Sequence, residues 1–122
     1  MGCRPEEAHI ARSSFSEAVQ AGVGLIAQTL TRIEQNHGEP NELSTMRSYL
    51  VELLRLMERG PGIDAAADDL DAAATALVRT TAAEGAGTLA RRQRILRQTF
   101  ERFQQRVASA KPSAKARQIG LT

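Results

Sequence analysis

Apolar residues recur along this chain in four stretches, each with the step of an α-helix. In the first, Phe15, Val19, Gly22, Ile26, Leu30 and Ile33 are spaced by threes and fours and draw one stripe along a helix. The spacing predicts a start between Pro5 and Ser13 and a stop at His37-Gly38, where glycine ends the helix. A second helix is predicted from about position 41 or 44 to 59, with Leu43, Met46, Leu50, Leu53 and Met57 facing inward. Gly60-Pro61-Gly62 ends it. The third opens at Ile63 and carries Asp64, Asp68, Asp69 and Asp71 near its start, the earliest of which suit the positive end of a helix dipole. Its inner face, Ile63, Ala67, Leu70, Ala74 and Leu77, is thin in volume and suits close helix approach. Gly85-Ala86-Gly87 is read as the break after it, and Thr88 as the N-cap of a fourth helix whose stripe is Leu89, Leu96, Phe100, Phe103 and Val107.

No segment alternates apolar and polar residues as a strand does, so the predicted class is all-α. Short connections favour antiparallel packing of sequence neighbours, hence an up-down-up-down four-helix bundle over residues 1–110. After Pro112 no apolar period remains, and residues 111–122 are expected to form a frayed, flexible basic tail. Gly22 and Gly24 inside the first helix each cost about 1 kcal/mol relative to alanine. The expected reason is a notch that admits a bulky neighbour such as Phe100 or Phe103.

Composition narrows the picture. The 122 residues suit one domain, and aromatic residues make up only 3%, so the core must come from Leu, Ile, Val, Met and Ala. Such a core predicts modest stability unless the chain oligomerises. A single cysteine, Cys3, excludes an internal disulfide, and no run approaches the length of a membrane span. Arg4, Glu6, Glu7 and His9 interrupt any signal-like apolar run, and the expected location is cytoplasmic. Met1-Gly2-Cys3 offers acceptors for acylation, but the sixth position is Glu6 where the myristoylation pattern asks for Ser or Thr.

Candidate chemistry is sparse. Both histidines follow a glutamate by three positions, as Glu6 to His9 and Glu34 to His37, the spacing of di-iron helices. The two pairs stand 28 positions apart on one predicted helix, about 42 Å, so one chain cannot bring them to one metal. Ser13, Ser14, Ser16, Ser44 and Ser48 read as caps or surface residues, Cys3 has no base fixed beside it, and neither glycine cluster follows a strand as a phosphate loop would. These features predict no enzyme activity, no cofactor and no metal.

Charge changes the picture most. From Gly85 onward nine basic residues stand against Glu101 alone, a net +8, while the preceding residues carry a net −6. In one reading, Asp64, Asp68 and Asp71 of the third helix answer Arg97, Arg102 and Arg106 of the fourth, which fixes register more than it stabilises. In the other, Arg91, Arg94, Arg97, Arg102 and Arg106 of the fourth helix, with Lys111, Lys115 and Arg117 of the tail, present a basic surface to an acidic partner. The function expected from these features is that of a non-catalytic interaction protein: an adaptor, a chaperone-like partner or a self-assembling subunit. A groove beside the third helix would take an amphipathic helix from another protein or from a second copy. The alternative is electrostatic, sequence-tolerant nucleic-acid binding through the basic helix and tail. Phe100 and Phe103 belong to the inner stripe, which leaves no aromatic for base stacking, and a membrane-surface role would need the same apolar face.

Overall fold

Proline opens each of the first three helices, where its missing N–H costs nothing and its fixed φ already suits the helix. In the computed structural model, which describes residues 5–35 and 40–121, with side chains from Phe15 onward, these are α1 (Pro5–Gln35), α2 (Pro40–Arg55) and α3 (Pro61–Val78). A 3-10 turn (Ala82–Glu84), α4 (Ala86–Ala108) and a short α5 (Ala114–Gln118) complete the chain. Among the described residues the structure is all-helical, with one isolated bridge between Met57 and Pro112 and no strand.

The predicted stripes form the core. Val19, Ile26, Leu30 and Ile33 of α1 are buried together with Leu43, Met46, Leu50 and Leu53 of α2, Ala67, Leu70, Ala74 and Leu77 of α3, and Leu96, Phe103 and Val107 of α4. Phe15, Ile63, Leu89 and Phe100 are half-buried at its edges. Helix α1 packs mainly along α2, and α3 along α4. Thr80, just past α3, meets Arg92 of α4, while Gly62 of α3 meets Arg106. Arg32 meets Glu42 while Gly22 meets Leu53 across α1 and α2. Across α2 and α3, Arg47 meets Asp71 while Arg59, just past α2, meets Asp64.

Several boundaries differ from the sequence reading. Helix α3 stops at Val78, six residues before the expected break, because Thr81 and Glu84 form a capping box that nucleates a separate turn. Its two halves are the Glu84 carboxylate accepting from the Thr81 N–H at 2.8 Å and the Thr81 side chain accepting from the Glu84 backbone. The N-cap of α4 is Gly85 and not Thr88. Gly85 adopts φ +87°, which only glycine reaches without strain, and Gly87 lies within the first helical turn. The expected stop of α1 at His37-Gly38 lies outside the described residues.

The notch on α1 exists, but its occupant is on α2. A Cβ at Gly22 would lie 3.0 Å from Cδ1 of buried Leu53, so Gly22 admits Leu53 and neither Phe100 nor Phe103. A Cβ at Gly24 would meet nothing within 4 Å, so this glycine serves no such approach.

The C-terminal segment is not frayed. Chain beyond α4 turns back to the end of α2, whose last carbonyls have no partner within the helix. The Ser113 N–H donates to the Leu56 carbonyl at 2.9 Å and the Ser113 hydroxyl to the Arg55 carbonyl at 2.7 Å. The same Ser113 oxygen accepts from the Ala116 N–H at 3.0 Å and so caps α5. The Glu58 N–H donates to the Lys111 carbonyl at 2.7 Å, Arg117 pairs with Glu58, and Ala116 is fully buried. The apolar pattern could not foresee this docking, because its anchors are hydrogen bonds and one alanine methyl.

The two glycines of α1 should respond differently to a methyl group. Gly24→Ala should raise stability by about 1 kcal/mol, whereas Gly22→Ala should fall short of that gain because Leu53 must move. Chemical denaturation of both variants checks the order, and equal gains would contradict the notch. Ser113→Ala should cost about 1 kcal/mol and speed amide exchange at Ala116 and Arg117. Unchanged exchange there would show that Ser113 does not hold the segment.

Candidate basic interface

The buried ridge of α4 runs through Leu96, Thr99, Phe103 and Val107, which turns Arg94 to the opposite face and Arg91 and Arg102 to an exposed flank. Arg91, Ile95, Gln98 and Arg102 follow one another at steps of four, three and four, a single exposed row about 16 Å long. Ile95 in its middle is 45% exposed, although it is a large aliphatic side chain.

The expected pairing of α3 with α4 is not formed. Asp71 turns to α2 and Asp64 to Arg59 just past it. Arg47 donates from Nε to Asp71 at 2.7 Å and from Nη2 to the Thr75 hydroxyl at 2.9 Å, while Asp64 is held by Arg59. Asp68 makes no ion pair with a described residue. The reason is geometric: Asp64, Asp71 and Thr75 fall on one flank of α3, away from Gly62, which meets Arg106 of α4. Exposed pairs of this kind contribute about 1 kcal/mol or less each, so they set orientation more than stability.

The eight predicted basic residues therefore divide. Arg97 leaves the basic row and reaches α1, where Nε and Nη2 grip the two Glu34 carboxylate oxygens at 3.0 and 3.3 Å. Hydrogen bonding to Glu34, with its charge, raises the Arg97 pKa further above its ordinary value. Arg117 is bound to Glu58 at 3.2 Å. Arg106 packs its guanidinium over Gly62, where an added Cβ would come within 3.4 Å of Nη1. Arg91, Arg94, Arg102, Arg106, Lys111 and Lys115 form no ion pair with a described acid. Lys111, Lys115 and Arg117 sit where the chain folds back onto α2, so the tail does not prolong the row on α4.

Sequence reading missed two features. Arg92, absent from the expected basic surface, ties three segments together by donating from Nη1 to the Thr80 hydroxyl at 2.8 Å and pairing with Glu84 at 3.0 Å. The T-x-x-E spacing of Thr81 and Glu84 was the signal for the turn it clamps. The second feature is an open seam between α1 and α4. A cleft of about 540 Å³ lies there, lined by Phe15, Val19, Val23, Ala27, Val107 and Ala110 among others. The expected groove beside α3 is different in kind, since Ala66, Ala67 and Ala74 are already buried against the rest of the core.

No group of three or more His, Cys, Asp or Glu among the described residues could hold a metal ion. Glu34 is engaged by Arg97, and Glu6, His9, His37, Gly2 and Cys3 lie outside the described side chains. No described helix is long and apolar enough to cross a membrane. No protein-family model matches the chain, and no curated protein or solved structure shows detectable similarity to it.

Glu84 offers a pH test. The Thr81 N–H, together with Arg92, holds its carboxyl below the ordinary glutamate value, against a smaller opposing effect of burial. A depressed folded value means that the Glu84 contribution is complete above the ordinary glutamate range and is lost as pH falls through the lowered value. In a carbon-detected NMR titration, Glu84 should titrate below an unstructured glutamate, and Arg92→Gln should move it upward. Titration at the ordinary value in the wild-type chain would contradict the clamp.

Proposed function

We propose that this chain is a non-catalytic interaction protein, an adaptor, chaperone-like partner or self-assembling subunit that works through the outward face of α4. In this reading the four long helices form an up-down-up-down bundle, the working compartment is the cytoplasm, and no cofactor takes part. The observation that carries it is the distribution of ion pairs: acids of α1, of the α3–α4 turn and of the segment after α2 engage Arg97, Arg92 and Arg117, yet Arg91, Arg94 and Arg102 stand without an acid. Cationic side chains held on a rigid helix and left unneutralised attract an anionic partner and speed its encounter.

A second reading, sequence-tolerant nucleic-acid binding, draws on the same three arginines. A row about 16 Å long spans several phosphates of a duplex, and affinity would then fall steeply with salt. The absence of an exposed aromatic among the described residues of α4 limits it to backbone contacts.

Co-purification of the full chain from its native lysate, compared with an Arg91→Glu/Arg94→Glu/Arg102→Glu variant of equal helicity, tests the proposal. A partner held by the wild-type chain and lost from the variant supports it. Equal recovery, or a clean monomer from both, contradicts it. A gel-shift series in rising salt separates the readings: a duplex that fails to shift even at low salt removes the nucleic-acid account.

A further inference from the structure

We infer that the row Arg91–Ile95–Arg102, flanked by Arg94, is a docking stripe for an acidic amphipathic helix that sets an apolar side chain on Ile95 between carboxylates. The inference rests on the proposed interaction role and names the class of partner.

Three observations carry it. The first is charge. Among the described residues, the acids that make no ion pair are Asp68, Asp69 and Glu101, apart from Glu17, which has an interaction of its own. Unpaired cations are Arg79, Arg91, Arg94, Arg102, Arg106, Lys111 and Lys115. The described acids do not neutralise the α4 face, and among the described residues a second copy would bring more unpaired cations than unpaired acids. The complementary surface is therefore acidic and belongs to another molecule.

The second observation is Ile95. Leu96 and Thr99 beside it are buried, whereas Ile95 stands 45% exposed within the arginines. Apolar surface has nothing to gain from a phosphate backbone, but it supplies the dry centre that protein interfaces use, with charged groups at the rim. Steps of four, three and four also match the i, i+4, i+7, i+11 ridge that a second helix lays into a groove.

The third is internal cost. Arg91 with Arg94, and Arg102 with Arg106, are like charges at helical steps of three and four, a spacing that disfavours the free helix. Carboxylates of a docked helix would relieve both pairs at once. Arg91, Arg94 and Arg102 carry no ion pair of the fold, so replacing them leaves the bundle intact.

The test uses the full chain and three probes in fluorescence anisotropy. One is a synthetic helix of about five turns bearing a Leu stripe flanked by Glu, the second replaces each Leu by Ala, and the third is a short DNA duplex of matched length. The Leu probe should bind at least about tenfold more tightly than the Ala probe. Arg91→Glu/Arg94→Glu/Arg102→Glu should abolish binding, and Ile95→Ser should weaken the Leu probe about five- to tenfold while leaving the Ala probe unchanged. Circular dichroism should show equal helicity throughout, and Arg94→Gln should not lower the melting temperature.

Several results would overturn the inference. If Leu and Ala probes bind alike and Ile95→Ser changes nothing, the contact is charge alone and the proposed role survives without this partner. If the duplex binds more tightly than either peptide, the nucleic-acid reading replaces it. Self-association that Asp68→Asn/Asp69→Asn abolishes would assign the stripe to a second copy. No binding to any probe at low salt defeats the docking stripe, while the lysate comparison still decides the broader role.

Discussion

Which way the acids of α3 face decides how the surface of this protein is used. Asp71 and Thr75 turn to Arg47, and Asp64 to Arg59, so the negative flank of α3 is engaged with α2 and with the residue four places beyond it. On the other flank α4 approaches closely enough for Arg106 to lie on Gly62. A helix that packs on alanine and glycine gains contact area and loses the chance to pair its charges there. That constraint leaves Arg102 and Arg106 without an acid of α3.

The remaining contacts work at the ends of helices. Arg92 joins Thr80 and Glu84, Arg97 joins Glu34, and Ser113 closes the open carbonyls of α2. Each fixes where one helix stops relative to the next, while the apolar ridges supply the bulk of the burial. With only Phe103 fully buried among the aromatics, the core depends on close approach of aliphatic side chains, and Gly22 against Leu53 is one place where that approach is tight. Between α1 and α4 the approach is looser, and the cleft beside Phe15 and Val107 marks where the ridges fail to interlock.

The helical class and most of the core were legible in the sequence, because a 3.6-residue period reports directly which side chains face inward. Leu50, Leu70 and Leu96 are buried as their spacing requires. Helix ends were less legible. The Thr81–Glu84 capping box carries a readable signal that the stronger glycine pattern at Gly85 obscured. Docking of residues 113–121 was illegible, since Ser113 and Ala116 act through hydrogen bonds and a methyl group that no periodicity records. For the basic surface, the residues could be named from charge alone, but their separation into bound Arg97 and Arg117 and unbound Arg91, Arg94 and Arg102 depends on which helix flank meets which neighbour. Periodicity gives the inward face of a helix; it does not say which neighbour lies to the left or right.

The most direct test of that flank assignment is the solvent exchange of arginine Nε–H groups, resolved by nitrogen-15 NMR. Arg47 and Arg97 donate from Nε to Asp71 and Glu34, and should exchange slowly. Arg91, Arg94 and Arg102 should exchange as freely as an arginine in an unfolded peptide, and Asp71→Asn should release Arg47 alone. Slow exchange at Arg102 that Asp71→Asn abolishes would place the acids of α3 against α4 and contradict the account.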